Sequence, residues 1–189
     1  MIKNITAKGI LSALKNGPDP WFGISYNMNL YRGCQHQCIY CDSRSECYQI
    51  ENFADILIKE NAIELLAKAL RNKRKKGTIG TGSMNDPYMP IEEKTYLTQQ
   101  ALKTIRHFRF PVHILTKSDL VLRDADIIKE ISRVYAAVSF TITTADDNLS
   151  RITEPGAPES SKRFTAIKEL SAKGIYTGIM LMPVLPFIS

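Results

Sequence analysis

The sequence predicts an α/β protein built around parallel strands, and two observations carry that reading. Strand-like and helix-like patterns alternate from residue 22 onward. The segments that follow the strands hold the polar and cysteine-rich residues, as expected when a site lies at the carboxyl ends of a parallel sheet. With 44% apolar and 23% charged residues over 189 positions, one globular domain with a sizeable core is the default.

Residues 1–20 show no strong period, and their turn-rich end, Asn-Gly-Pro-Asp-Pro, marks them as a lead-in to a core of residues 21–189. The first strand falls at 22–30 and the cysteine loop follows it. A helix over about 61–75 leads to a short strand at 78–81, and a helix over about 92–107 leads to a strand at 112–116, after Pro111. Asp124 is placed to cap a helix running to about residue 133. Then come a β-rich strand at 136–143, a helix at 160–173 closed by Gly174, and a fifth strand at 176–182. Five strands separated by helices pair in parallel, either as an open doubly wound sheet or as a (β/α) barrel. The pattern leaves both open. The chain stops directly after the fifth strand, where a covering helix is expected, so the reading is of about five βα units, incomplete at the C-terminal end and prone to associate through an uncovered apolar edge.

No stretch approaches the ~20 apolar residues of a membrane span, and the first residues lack the apolar run and cleavage site of a signal peptide, so a cytoplasmic location is expected. The formal net charge is +6, much of it gathered in Arg71, Lys73, Arg74, Lys75 and Lys76. At the end of a predicted helix such a run complements the dipole, which favours a solvated face over a nucleic-acid patch. All four cysteines, Cys34, Cys38, Cys41 and Cys47, sit in one short segment. Thiols so placed cannot staple distant parts of a chain, and they read as a metal or redox centre.

The segment Gly33-Cys34-Gln-His-Gln-Cys38-Ile-Tyr-Cys41 gives a CxxxCxxC spacing after a strand. Three thiolates from one loop can hold three corners of an iron-sulfur cubane, leaving one iron open to a bidentate small molecule. A closed zinc site would recruit His36 or Cys47 as a fourth ligand. The fuller pattern GCxHxCxYC resembles the radical SAM superfamily, in its branch related to spore photoproduct lyase. Similar in order and spacing are Asn85-Asp86-Pro87-Tyr88 with Pro90 and Glu92, Thr116-Lys117-Ser118 with Arg123-Asp124, Glu154-Pro155 with Arg163, and Met182-Pro183 with Pro186.

The resemblance implies a partial (β/α) barrel that holds a 4Fe-4S cluster and S-adenosylmethionine, forms a 5′-deoxyadenosyl radical by reductive cleavage, and abstracts hydrogen from a substrate it does not name. It assigns Cys34, Cys38 and Cys41 to the cluster and leaves Cys47 an unliganded thiol. Tyr40 is set beside the adenine, Lys117 against the methionine carboxylate, Gly82 and Ser83 near the methionine amino group, and Ser139 and Thr141 toward the ribose. His107 and His113 are read as structural. A flavodoxin- or ferredoxin-like electron donor is implied as partner. None of the four cysteines lies outside residues 34–47, where the lyase branch places its hydrogen-donor cysteine, so a reaction on thymine lesions is not implied. The competing readings are a nucleic-acid-binding iron-sulfur or zinc module and an inactive truncated remnant.

Overall fold

A computed structural model describes residues 1–45 and 52–189. A six-stranded sheet forms its centre, from β2 (Leu11–Ala13), β3 (Ile24–Met28), β6 (Thr78–Thr81), β7 (Val112–Thr116), β8 (Ala136–Thr141) and β9 (Tyr176–Met180), in the order β2-β3-β6-β7-β8-β9. Only β2 runs antiparallel, against β3; the five strands from β3 to β9 are parallel and match the five strands read from the sequence. A smaller sheet, ordered β1-β5-β4, joins β1 (Ile2–Ile5), β5 (Ile56–Lys59) and β4 (Tyr31–Arg32). The unpatterned first twenty residues thus contribute two strands. Ile2 to Ile5 pair with Ile56 to Lys59, and that sheet brackets the exit from the cysteine loop.

Helices α1 (Ala62–Arg71), α3 (Leu97–Phe108), α4 (Ala125–Ile131) and α6 (Ser160–Ala172) carry the chain between the parallel strands, with α2 (Glu92–Thr95) and α5 (Asp147–Thr153) as short additions. This is a partial (β/α) barrel. Along β7 and β8 the alternation of side chains sorts the residues: Val112, Ile114, Val138 and Phe140, all fully buried, join the core with Leu66, Leu102, Ile105 and Leu170. The other face carries His113, Leu115, Ser139 and Thr141. Burial of the first set removes roughly 1.5 to 3 kcal/mol of apolar exposure per side chain, which fixes which face turns away from the helices.

Several element ends differ from the sequence reading for visible reasons. Helix α1 stops at Arg71, so Lys73 to Lys76 lie beyond it and the dipole argument applies only to Lys68 and Arg71. The helix expected over 92–107 is broken at Tyr96, whose left-handed backbone (φ 52°) separates α2 from α3. Asp124 precedes α4 without a side-chain cap, because its carboxylate accepts from Tyr88 Oη, Gln99 Nε2 and Arg123 instead. Gly174 closes α6 as expected: at φ +71° it lets its own N–H bond Ser171 O and the Ile175 N–H bond Leu170 O. No helix among the described residues is long and apolar enough to cross a membrane.

Candidate active site at the strand ends

A cavity of about 430 Å³ opens at the carboxyl ends of β6, β7, β8 and β9, within the range of small-molecule sites. Its walls include Cys34, Cys38 and Cys41 on one side and Gly82, Lys117, Thr141 and Met180 from the strand ends on the other. Tyr40 and Ser83 also line it. Eight of the nine sequence-assigned site residues therefore converge. Ser139 does not: its hydroxyl is paired with His113 Nε2 at 2.8 Å, deeper in the barrel, and it is absent from the cavity wall. Cys47 lies outside the described residues.

The cysteine loop is held from three sides. Cys34 N–H bonds Phe53 O, and Gly33 sits at φ +81° with no room for a Cβ, which would come within 2.2 Å of Asp55 O. On the opposite side the loop docks against residues 153–156. Ile39 N–H bonds Thr153 O, Gly156 N–H bonds His36 O, and His36 Nδ1 lies 2.9 Å from Gly156 O. A Cβ on Gly156 would meet Gln35 O at 2.1 Å, so the close approach of the two segments requires that glycine.

The third side is Asp86. Its carboxylate accepts from the N–H of Tyr88 (2.8 Å) and Lys117 (2.6 Å) and from Thr116 Oγ1 (2.7 Å), and His36 Nε2 stands 3.2 Å away. Burial alone would raise its pKa; the His36 ring and these donors outweigh burial and hold it down at about 2. The two His36 nitrogens thus face Gly156 O and the Asp86 carboxylate, and among the described residues His36 belongs to no cluster of three metal-ligand side chains. Asp86 ties the cysteine loop to Lys117, so it fixes the spacing of the two cavity walls.

Tyr40 is anchored behind the loop. Its hydroxyl donates to Glu154 Oε1 and lies 3.0 Å from Thr143 Oγ1, which itself donates to Glu154 Oε1 at 2.9 Å. Arg163, fully buried, closes the chain at 2.5 Å from Glu154 Oε2 and donates to Thr141 O and Pro158 O. Burial raises the Glu154 carboxyl, but Arg163 and Lys117 more than offset this and its pKa falls below the ordinary value. Lys117 Nζ stands 5.7 Å from the centre of the Tyr40 ring. The ammonium thus stands beside the ring, and both line the same cavity.

Without a cation the buried thiols are held neutral, so a metal that binds here must displace their protons. Burial first, then the Asp86 charge, push Cys34 up to about 12, with backbone hydrogen bonds from Asp86 and His36 acting the other way. Burial likewise raises Cys38, opposed by Lys117. Among the described residues no three His, Cys, Asp or Glu side chains surround a common point, as a mononuclear site would need. A cubane makes a different demand, one thiolate for each of three irons, and three cysteines along one wall fit it.

Sequence reasoning gave no role to Asp86, Glu154 or Arg163 and considered His36 only as a zinc ligand, although all four stand among the positions of resemblance. Neighbouring Gly156 and Pro155 hint at a close approach, but which partner each charge takes is a tertiary fact.

Comparison with known proteins agrees with this geometry. The family model of the radical SAM superfamily matches residues 28–188. An uncharacterized protein of Methanocaldococcus jannaschii is 39% identical over 167 residues, covering 87% of this chain and 62% of that protein. The radical SAM Nalpha-GlyT isomerase of Pseudomonas phage M6 is 27% identical over 155 residues, 82% of this chain and 32% of that protein. The chain thus spans under two thirds of the curated relatives it matches. Among solved structures, spore photoproduct lyase complexed with dinucleoside spore photoproduct superposes with a TM-score of 0.70 at 17% identity, covering 98% of this chain and 52% of that one, a likeness of fold. By the extent of the family match, on a partial barrel that carries the three-cysteine loop, the chain belongs to the radical SAM superfamily, and a 4Fe-4S cluster and S-adenosylmethionine are its cofactors.

Proposed function

We propose that this chain is the core of a radical SAM enzyme in which Cys34, Cys38 and Cys41 hold the cluster and the strand-end cavity holds S-adenosylmethionine. The observation that supports this best is the convergence of three cysteines, Lys117, Gly82 and Tyr40 on one cavity. The chemistry the cofactors supply when bound is reductive cleavage of the sulfonium to methionine and a 5′-deoxyadenosyl radical, which abstracts hydrogen from substrate. The residues position and enclose. The Lys117 ammonium pairs with the methionine carboxylate, a charge-assisted contact. Gly82, with φ +86° and Leu115 O where a Cβ would stand, lets bare backbone approach the amino group, with Ser83 beside it. Tyr40, fixed through its hydroxyl, presents its ring beside the adenine, and Thr141 is left as the ribose contact because Ser139 is occupied by His113. Electrons come from a flavodoxin- or ferredoxin-like donor.

Anaerobic reconstitution followed by reduction with dithionite in the presence of S-adenosylmethionine tests the proposal. It requires 5′-deoxyadenosine to form in the wild type and not in Cys38→Ala. A protein that takes up iron and sulfide but never yields 5′-deoxyadenosine overturns it.

A further inference from the structure

The amino ends of the parallel strands, at the opposite pole from the cysteine cavity, carry a charge pattern the proposed chemistry does not use. The run Lys73-Arg-Lys-Lys76 precedes β6, Arg106 and Arg109 precede β7, and Arg133 precedes β8. Packing makes these one surface. Lys76 Nζ bonds Phe108 O and stands 5.6 Å from the Phe110 ring centre, and Phe110 shares a surface pocket with Arg106, Arg109, Arg133 and Val134. The one carboxylate in that pocket, Glu130, is taken by Arg106 at 3.1 Å. These seven cations outnumber the carboxylates beside them: Glu130 is paired with Arg106, and Asp19 is taken by the N–H groups of Trp21, Phe22 and Ile24. Because Lys73 to Lys76 lie beyond α1, the run is not explained as the last turn of a helix.

Aromatic rings lie along the same stripe. Lys73 Nζ stands 4.4 Å from the Tyr26 ring centre, and Tyr26 Oη donates to Lys75 O. Tyr135, next to Arg133, stacks on Tyr176 at 6.4 Å between ring centres, and Tyr176 is 72% exposed. Trp21, 85% exposed, stands in the turn that enters β3. From β3 to β9 the stripe crosses five strands, roughly 20 Å at the usual strand spacing. An anionic membrane would ask for an amphipathic helix with an apolar face, which this pole lacks among the described residues. Cations interspersed with half-buried Tyr26 and Tyr135 and with the exposed rings of Tyr176 and Trp21 are instead the chemistry that binds phosphates and stacks unpaired bases.

We infer that this pole is a single-stranded nucleic-acid-binding surface, separate from the cofactor cavity. The strand's phosphates run along Lys73 to Lys76, Arg109 and Arg133, and an unpaired base stacks on Tyr176. The surface acts independently of the cysteine loop.

Fluorescence anisotropy with a labelled 20-nucleotide single strand, its duplex and vesicles containing phosphatidylserine tests this on the reconstituted protein. The single strand should bind more tightly than the duplex, and log K should fall against log salt with a slope of about −0.7 for each phosphate neutralised. Replacing Lys73, Lys75, Arg109 and Arg133 together by Ala should weaken binding at least tenfold and flatten that slope, while Tyr176→Ala should cost roughly fivefold or more with the slope unchanged. All these side chains except the half-buried Lys73 are exposed, and unchanged circular dichroism and iron content show that each variant folds and loads. Absence of binding at low salt, equal affinity for duplex, preference for vesicles, or indifference to both variants overturns the inference. Because iron content and 5′-deoxyadenosine formation are read separately, failure here leaves the radical SAM proposal standing, and the converse also holds.

Discussion

Replacing Arg163 by Met should destabilise the fold more than any other single change near the cavity. Arg163 and Glu154 are 0% and 1% exposed and 2.5 Å apart, and Arg163 also supplies donors to Pro158 O at 2.9 and 2.6 Å and to Thr141 O at 2.9 Å. Methionine keeps the apolar stem but strands a buried carboxylate and two backbone acceptors. Breaking a buried pair from one side costs about 3 to 5 kcal/mol, because the remaining charge must be desolvated alone. For a domain of this size each kcal/mol moves Tm by about 2 to 4 °C, so a fall of roughly 6 to 20 °C is expected. The double variant Arg163→Met with Glu154→Gln should recover part of the loss, since no charge is left unpaired. Thermal unfolding followed by circular dichroism, with urea titrations as a second measure, decides it. A single variant that loses under 1 kcal/mol, or a double variant worse than the sum of the singles, would refute the reasoning that Arg163 neutralises the acid anchoring Tyr40.

Three further outcomes follow from the same geometry. Lys117→Met should leave iron and sulfide content intact while weakening S-adenosylmethionine binding about ten- to hundredfold, the worth of a partly buried charge-assisted contact, by titration of reconstituted protein. Gly82→Ala should lower stability by at least about 1 kcal/mol and impair binding of the same ligand, because a Cβ would meet Leu115 O at 2.3 Å at a residue already at φ +86°; urea unfolding and the same titration report on it. Asp86, held at about 2, and Glu154, held below its ordinary value, both have depressed folded-state pKa values, so their stabilisation is present above about pH 4 to 5 and lost as pH falls through their folded values; unfolding free energy measured between pH 7 and pH 3 should drop on the acid side.

The parallel strands were legible because their residues obey a local rule: Val112 to Thr116 and Ala136 to Thr141 are short runs rich in β-branched and apolar residues bounded by breakers. The strands Ile2–Ile5 and Ile56–Lys59 were not legible, because each is held chiefly by the other across more than fifty intervening residues. That the three cysteines, Lys117 and Gly82 line one cavity was legible through the resemblance of their motifs. Ser139 was legible as facing the barrel interior with Thr141, but His113 reaches it first, and nothing local in either strand announces that contact. For the same reason Asp124 looked like a helix cap, although Tyr88, Gln99 and Arg123 converge on its carboxylate from other elements.

The claim at the centre of this account is that three thiolates hold the cluster and leave one iron for S-adenosylmethionine. Electron paramagnetic resonance of the reduced, reconstituted protein tests it most directly, in the wild type and in Cys47→Ala, each with and without S-adenosylmethionine. The account predicts that adding S-adenosylmethionine changes the g values in both proteins alike and that Cys47→Ala has the wild-type spectrum in its absence. A cluster whose spectrum ignores S-adenosylmethionine, or one that is lost with Cys47, would contradict it.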